Sequence, residues 1–230
     1  MKIVIVHGQS HKQISYHMGR MMCDAMQPED IKEFFLPKDM PHFCTGCQLC
    51  LDEGIQYCPH KELQPIIDAI MDADVLVFTT PVYCLRTTGS MKALLDHCFT
   101  LWMPHRPRKE MFTKQAIILS VGAGSGMGTA AKDIKTSLQY WGISKIQVYK
   151  VRGMAISWDS FREEGKKKMR KDFMRLAHKV RNRHTIKVSI KIKAIFYMMR
   201  IMHKKKMSGS EVDYTYWKQQ GWLEKERPWR

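Results

Sequence analysis

The chain has 230 residues, 44% of them hydrophobic, and carries a formal net charge of +16 at pH 7. This length allows one α/β domain with an appendage, and the composition argues against a globally disordered protein. No run of about 18 uncharged apolar residues supports a transmembrane helix, and the apolar start of the chain is too short for a secretory signal. We therefore expect a cytoplasmic protein.

Five apolar runs alternate with helix-like stretches along the chain and predict strands at 2–7, 32–36, 74–80, 115–121 and 145–151. The third and fourth runs are continuous and rich in β-branched residues, as in strands that are covered on both faces. Helical spacing of apolar residues predicts helices at 13–26, 61–72, 90–102, 129–140 and 159–183. This alternation predicts a doubly wound parallel sheet with right-handed crossovers.

The ligand site of such a sheet lies beyond the carboxyl ends of its strands, where the winding direction reverses. The loop after the first strand is rich in hydroxyl, amide and cationic side chains and leads into a helix, which favours anion binding. Its sequence is Gly8-Gln9-Ser10-His11-Lys12-Gln13-Ile14-Ser15. It contains neither a Walker pattern nor the Gly-x-Gly-x-x-Gly pattern of dinucleotide-binding folds. Taken alone, the loop could also be an ordinary capped helix start.

Two further loops at the same edge of the predicted sheet have unusual sequences. The segment Thr79-Thr80-Pro81-Val82-Tyr83-Cys84 offers backbone groups to the edge of a planar ligand and an aromatic ring to its face. The segment from Ser120 to Gly128 contains four glycines within seven residues, so its backbone can approach a ligand closely. Each loop alone could be a plain turn, but three such loops at the predicted crevice indicate a ligand site.

Four of the seven cysteines lie within fifteen residues, in a cysteine-rich insertion at 43–59: Cys44, Cys47, Cys50 and Cys58. An odd number of cysteines in a chain that is not exported argues against a disulfide framework. Two-residue gaps and a final Cys-Pro are typical of [4Fe–4S] ligands, although the last gap in bacterial ferredoxins is shorter. Zinc, which usually takes a second Cys-x2-Cys pair, and thiols without metal are the alternatives. Cys23 and Cys98 fall at helical positions and are expected in the core.

These motifs resemble those of the NADPH-dependent FMN reductases and, more closely, of the iron–sulfur flavoproteins in the flavodoxin-like superfamily. The resemblance covers residues 1–150 approximately and depends on the order of the motifs. That order is the Gly-x-Ser-x-Lys loop, the cysteine run, Pro81-Val82-Tyr83, and the Gly-x-Met-Lys-Ala-x-x-Asp helix from Gly89 to Asp96. The tail Asp213-Tyr214-x-Tyr216-Trp217-x4-Gly221-Trp222-Leu223 also resembles tails of some of these oxidoreductases.

The resemblance implies a flavodoxin-like five-stranded parallel sheet, in the order 2-1-3-4-5, that binds FMN. It implies phosphate contacts from Ser10, His11, Lys12 and Ser15, isoalloxazine contacts from Pro81, Val82, Tyr83 and Cys84, and a facing loop of Gly122, Ala123 and Gly124. Two positions depart from the family. The first loop commonly reads Gly-Ser-Pro-Arg, so the phosphate contacts differ here. A tryptophan often stands in place of Cys84, so one wall of the flavin pocket is smaller.

The implied function is an NAD(P)H oxidoreductase that passes electrons through FMN, and through a [4Fe–4S] cluster, to a small-molecule or protein acceptor. The alternative is an electron-transfer flavoprotein that shuttles electrons between redox partners and has no NAD(P)H reaction of its own. In either case the chemistry belongs to the cofactor, which agrees with the absence of any recognisable catalytic triad. A homo-oligomer, either a dimer or a tetramer, is expected.

The positive charge is concentrated near the C-terminus, where residues 160–206 carry 17 Lys and Arg against 3 Asp and Glu. We expect a flavodoxin-like domain over 1–184 and a basic, aromatic extension over 185–230. The extension should contain a helix near 190–205, a turn at 208–210 and an aromatic tail docked on this domain or on a partner subunit. No nucleic-acid-binding module is visible, so no nucleic-acid partner is expected. The basic segment either keeps a helix soluble or, through 186–206, brings the protein to a membrane surface.

Overall fold

The computed structural model describes residues 1–154, 157–183, 185–207 and 210–229. Five strands form one parallel sheet in the order β2-β1-β3-β4-β5, which confirms the flavodoxin-like prediction. The strands are β1 (Lys2–His7), β2 (Asp30–Phe35), β3 (Val75–Pro81), β4 (Gln115–Gly122) and β5 (Lys145–Arg152). β3 and β4 are buried along almost their whole length, as their continuous apolar sequences predict.

The helices of the described residues are α1 (Ile14–Met26), α2 (Leu49–Asp52), α3 (Leu63–Asp72), α4 (Gly89–His97), α5 (Met127–Tyr140), α6 (Glu163–Arg181), α7 (Ile190–Lys204) and α8 (Glu211–Gln219). The helix predicted at 90–102 was wrong in its length, because α4 ends at His97 and a 3-10 turn follows at Phe99–Leu101. Beyond this turn, the Met103 N–H donates to the carbonyl of Tyr140, the last residue of α5. Two helices were not predicted from the sequence: α2, inside the cysteine run, and α8, inside the aromatic tail.

Helices cover both faces of the sheet and form two hydrophobic cores. One core contains apolar residues of α3, α4 and α5, and the other contains those of α1 and α6. Cys23 and Cys98 are buried in these cores, as expected, and burial raises the pKa of both thiols. No helix among the described residues has the length and apolar character needed to cross a membrane.

A third hydrophobic core joins the C-terminal segment to the rest of the chain. Trp217, Trp222 and Phe196 pack there against Met103 and Phe112, which precede β4. The aromatic tail therefore docks on its own chain. The expected domain boundary at His184 and two residues of the expected turn at 208–210 lie outside the described residues.

Candidate flavin site and cysteine cavity

The loops after β1, β3 and β4 meet at one cleft of about 290 Å³ at the carboxyl edge of the sheet. The lining residues are Gln9, His11, Gln13, Ile14, Ser15, Pro81, Val82, Tyr83, Val121, Gly122, Ala123 and Gly153. Seven of the eleven residues expected to contact FMN are among them. Five further lining residues were not selected from the sequence, although all but Gly153 belong to the loops that were singled out: Gln9, Gln13, Ile14, Val121 and Gly153.

The first turn of α1 presents free backbone N–H groups to this cleft. The N-cap residue Gln13 accepts no hydrogen bond from that turn with its side chain. Ser15 is buried in the same turn, and its hydroxyl accepts a hydrogen bond from Gln9 Nε2, 3.1 Å away. Unsatisfied N–H groups and the helix dipole make this end of the cleft suitable for a phosphate group.

Four residues expected at the cleft do not line it: Ser10, Lys12, Cys84 and Gly124. The Ser10 hydroxyl donates to the carbonyl of Leu36, and Lys12 Nζ lies 5.4 Å from the centroid of the Tyr16 ring. Both residues therefore hold the first loop against its surroundings. The carbonyl of Gly124 accepts a hydrogen bond from Arg152 Nε, 3.0 Å away.

The first loop is fixed at Gly8 by the neighbouring strand and helix. The N–H of Gly8 donates to the Thr79 carbonyl at 2.7 Å. The carbonyl of Gly8 accepts hydrogen bonds from the hydroxyls of Thr88 at 2.7 Å and Ser90 at 2.9 Å. A Cβ at this position would lie 2.9 Å from the Thr79 carbonyl oxygen. Thr88 also caps α4 by accepting from the Met91 N–H. Glycine is therefore required here, and the loop geometry depends on the start of α4.

A tight hairpin projects from the end of β3 and carries Tyr83 and Cys84. Tyr83 and Arg86 exchange both backbone hydrogen bonds, at 3.0 and 2.9 Å, and the two residues between them have positive φ, +48° at Cys84 and +64° at Leu85. Non-glycine residues adopt this conformation only when their surroundings hold them there. The Arg86 guanidinium donates to both carboxylate oxygens of Asp133 on α5, at 3.0 and 2.6 Å, and so anchors the hairpin.

A buried polar network supports the cleft from below. His7 Nε2 lies 3.3 Å from Glu33 Oε2, His7 Nδ1 lies 3.1 Å from the Thr79 hydroxyl, and Arg20 also pairs with Glu33. The hydrogen bond from His7, together with the Arg20 guanidinium, lowers the pKa of Glu33. Since His7 immediately precedes Gly8, this network connects β1, β2, β3 and α1 beneath the first loop.

The four clustered cysteines line a second cavity, together with His60, His97 and Phe99. Cys50 and Cys58 are buried, whereas Cys47 is exposed. Burial, reinforced by the neighbouring thiols, raises the pKa of Cys50 to about 11. Within the described parts of the chain, no three His, Cys, Asp or Glu side chains are close enough to hold a single metal ion.

The residues of this cavity fit an iron–sulfur cluster by their donor set. The four cysteines line one cavity, and four is the number of thiolate ligands that a [4Fe–4S] cluster takes. His60 Nε2, which also faces this region, is buried without a hydrogen-bond partner in the described structure. Metal binding requires deprotonated thiols, and a cationic cluster core would offset the unfavourable burial of thiolates here.

Two residues that the sequence analysis did not select hold the cysteine loop in place. Arg106 Nη2 donates to the Cys50 carbonyl at 2.5 Å, and His97 Nδ1 lies 3.8 Å from Cys58 Sγ. His97 Nε2 donates to the carbonyl of His42 at 3.2 Å. The ring of His42 stacks on that of His60, with centroids 4.7 Å apart. No local sequence pattern signals these contacts, because they join residues distant in the chain.

The parallel sheet and the cleft at its carboxyl edge define the protein as a flavodoxin-like flavoprotein. Residues 1–155 match the family model for NADPH-dependent FMN reductase. Because the match spans most of the chain, the protein belongs to this family and is an FMN-dependent oxidoreductase that takes electrons from NAD(P)H.

The chain is also similar to particular relatives. It is 23% identical over 231 residues to an iron–sulfur flavoprotein of Archaeoglobus fulgidus. The aligned region covers 97% of this chain and 100% of that relative. A flavone reductase structure has a TM-score of 0.62 at 15% identity and covers 82% of this chain and 66% of that structure. An FMN-dependent NADH-azoreductase of Bacillus anthracis, in complex with FMN, has a TM-score of 0.56 at 12% identity, covering 79% and 100%. At these identities the two structures show the fold alone.

Proposed function

We propose that this oxidoreductase passes electrons from NAD(P)H, through FMN in the cleft, to a [4Fe–4S] cluster held by Cys44, Cys47, Cys50 and Cys58, and then to an acceptor. The observation that carries the proposal is that α4 connects the two sites. Thr88, at its start, donates to the Gly8 carbonyl in the flavin loop, and His97, at its end, contacts Cys58. A helix of nine residues is about 13 Å long. The two sites therefore share one rigid element.

The residues around the cleft have distinct roles in this proposal. The first turn of α1, with His11 and Ser15, would bind the FMN phosphate. The residues Val82, Tyr83, Gly122 and Ala123, which line the same cleft, would contact the isoalloxazine ring. FMN supplies a hydride acceptor that can release its electrons one at a time. The Tyr83 ring is 51% exposed, so this side of the cleft stays open to the nicotinamide of the donor.

The cysteine cavity has two supporting residues with distinct effects. Arg106 donates a guanidinium hydrogen bond to the Cys50 carbonyl and so fixes the backbone at this cysteine. His97 fixes the position of the Cys58 sulfur through its own bond to the His42 carbonyl. Both residues act on the geometry of the site, and the cluster would provide one-electron transfer.

We also propose a division of labour along the chain. Residues 1–184 form the flavin-binding domain with both sites, and residues 185–230 form an extension that braces Arg106 through Asp213, whose Oδ1 lies 3.5 Å from Arg106 Nε.

A homodimer or homotetramer and a cytoplasmic location complete the proposal. Sedimentation of the purified protein and fractionation of cells that produce it test these two points.

The cluster is tested by purifying the protein anaerobically and measuring its absorbance spectrum, iron and acid-labile sulfide. We expect flavin bands with a broad visible shoulder, and loss of iron in Cys50→Ala and Cys58→Ala. Cys98→Ala, which empties an equally buried site outside the run, and Cys84→Ser, which alters an exposed cysteine, should keep their iron. Zinc in place of iron, or a yellow protein with no metal, would overturn the cluster and leave the FMN chemistry intact.

The NAD(P)H reaction is tested separately on the FMN-loaded protein without oxygen. We expect stoichiometric NADH or NADPH to bleach the flavin absorbance, both in the native chain and in Cys50→Ala. Bleaching only by a chemical reductant would instead support the electron-transfer flavoprotein without its own pyridine-nucleotide reaction. Comparison of NADH with NADPH at equal concentration would identify the preferred donor.

A further inference from the structure

The outer face of α7 carries an apolar stripe that no other described part of the chain covers. Ile190 is 86% exposed, Met198 49% and Ile201 53%, and Met207 just beyond the helix is 65% exposed. Within α7, Ile190, Met198 and Ile201 together with Ala194 recur every three or four residues, so these four residues lie on one side of the helix. The opposite side of α7, with Ile192, Phe196 and Met199, is buried in the third core. The helix is thus apolar on both faces.

Lysines surround this stripe. Lys191 lies next to Ile190 at the start of the helix, and Lys204, Lys205 and Lys206 lie between Ile201 and Met207 at its end, all with exposed side chains. Residues 185–210 contain no Asp or Glu at all. Among the described residues, no carboxylate forms an ion pair with any of these four lysines. Exposed apolar side chains with uncompensated positive charge at their margins therefore form one surface, which we call the α7 face.

We propose that the α7 face binds the surface of an anionic lipid bilayer. An interfacial helix inserts its apolar stripe to a depth of about 5–10 Å, while flanking lysines contact acidic head groups. The α7 face has both features, an exposed apolar stripe and lysines beside it. With its inner side anchored in the third core, the helix needs no refolding to present the stripe, so binding carries little cost in conformational entropy.

The other occupants of such a face fit the observed chemistry less well. A nucleic acid would pair with the lysines but would leave Ile190 and Ile201 facing charged phosphates. A second copy of the chain, related by a two-fold axis, would bring the same lysines of both copies together without a carboxylate between them. An anionic bilayer satisfies the apolar and the charged groups at once.

The test uses the full-length FMN-loaded protein and sedimentation with lipid vesicles. One vesicle preparation contains phosphatidylcholine alone, and the other contains phosphatidylcholine with phosphatidylglycerol. We expect binding to the second preparation, at least tenfold weaker binding to the first, and marked weakening at high salt. Absence of binding to the anionic vesicles would overturn the proposal.

Matched variants locate the binding face. Lys204→Gln/Lys205→Gln/Lys206→Gln removes three charges from the α7 face, and Lys167→Gln/Lys168→Gln/Lys171→Gln removes the same number from exposed positions of α6. We expect the first variant to lose about tenfold or more in affinity for anionic vesicles, and the second to lose much less. Equal losses in the two variants would mean that net charge, rather than the α7 face, drives binding, and would sink the proposal.

The apolar stripe has its own matched pair. Ile190→Ser/Ile201→Ser changes two exposed side chains of the α7 face, and Met174→Ser changes an α6 side chain that is 57% exposed. We expect the first variant to release the protein from anionic vesicles and the second to bind like the native chain, with flavin absorbance unchanged in both. If the double variant binds vesicles normally, or if it instead splits a native oligomer that does not bind vesicles, the lipid proposal is wrong.

Discussion

The hydroxyl of Tyr83 donates a hydrogen bond to Gln9 Oε1, 3.0 Å away, and joins the loops after β3 and β1 across the flavin cleft. Both residues line the cleft. The bond also connects the strained hairpin at Cys84 to the loop that faces the phosphate end. The mouth of the site is therefore held by a side-chain bond rather than by the sheet itself.

Removing that hydroxyl should weaken FMN binding without unfolding the protein. Tyr83→Phe keeps the ring but loses one hydrogen bond, so we expect about two- to tenfold weaker FMN binding, measured by fluorescence titration of the apoprotein. Tyr149→Phe is the matched control, because its hydroxyl also forms one hydrogen bond, to Asp172 on α6, and neither residue lines the cleft. Equal FMN affinities for Tyr83→Phe and the native chain would contradict the role of this contact.

The glycine-rich loop after β4 tolerates a side chain at one position and not at another. Gly126 has φ +86°, and a Cβ there would lie 2.7 Å from Val82 Cγ1 and 2.8 Å from Leu85 Cα. We expect Gly126→Ala to lower the free energy of unfolding by about 1–3 kcal/mol and to weaken FMN binding, because the hairpin must shift. Gly128→Ala meets no atom within 4 Å and starts a helix, so it should be neutral or slightly stabilising. Denaturant unfolding of both variants checks this difference, and similar stabilities would refute it.

Arg106 should control the accessibility of the cysteine loop. Its side chain contacts the Cys50 carbonyl and lies beside the buried carboxylate of Asp213. Arg106→Gln removes one charge from a largely buried pair, so we expect a loss of about 2–4 kcal/mol in unfolding free energy. We also expect faster reaction of the Cys50 thiol with a disulfide reagent in the metal-free protein. Arg108→Gln, at an exposed arginine two residues away, should change neither quantity. Unchanged thiol kinetics in Arg106→Gln would show that the loop is held by other contacts.

The Glu33 network gives a pH-dependent contribution to stability. The pKa of Glu33 lies below its ordinary value of 4.5, chiefly because of the hydrogen bond from His7. A carboxylate with a lowered pKa stabilises the fold above the unfolded value and loses that contribution as the pH falls through the folded value. Glu33→Gln should therefore cost about 1–3 kcal/mol at neutral pH, with the difference from the native chain shrinking below pH 4.5.

Equilibrium unfolding at several pH values measures this difference directly. Glu29→Gln is the control, because the Glu29 side chain is 82% exposed and pairs with the N-terminal amine. Its effect should be small at every pH. A Glu33→Gln deficit that stays constant down to acidic pH would mean that the side chain acts through packing rather than through its charge.

The central sheet and the position of the cleft were predictable because they depend on local patterns. Continuous β-branched runs identify β3 and β4, and the carboxyl ends of parallel strands necessarily meet at one edge. The three loops could therefore be selected without knowledge of tertiary structure. The turn residues of the hairpin were not predictable, because Cys84 and Leu85 adopt positive φ although neither is glycine. The Arg86–Asp133 pair that anchors the hairpin joins residues 47 positions apart.

The supporting residues of the cysteine cavity could not be predicted for a different reason. His97 is separated from Cys58 by 39 positions, and Arg106 is separated from Cys50 by 56 positions. Neither contact can therefore be predicted from the spacing of residues within a short segment of the sequence. The helix α8 could have been found, since Ser210 accepts a hydrogen bond from the Asp213 N–H in a recognisable capping pattern. Because this segment is rich in aromatic residues, it was predicted to be a docking tail rather than a helix.

The attachment of the tail has a consequence for the order in which the protein matures. Trp217 Nε1 donates to the His105 carbonyl, and the Tyr216 hydroxyl donates to the Pro107 carbonyl. The tail is therefore hydrogen-bonded to the residues on both sides of Arg106. These partners leave the ribosome more than a hundred residues after His105 and Pro107. The flavin loops can assemble while synthesis continues, but the brace behind Cys50 is complete only when α8 has emerged. If the cysteines hold a cluster as proposed, loading of the nascent chain would take place before this brace is complete, whereas loading of the finished protein would take place after it.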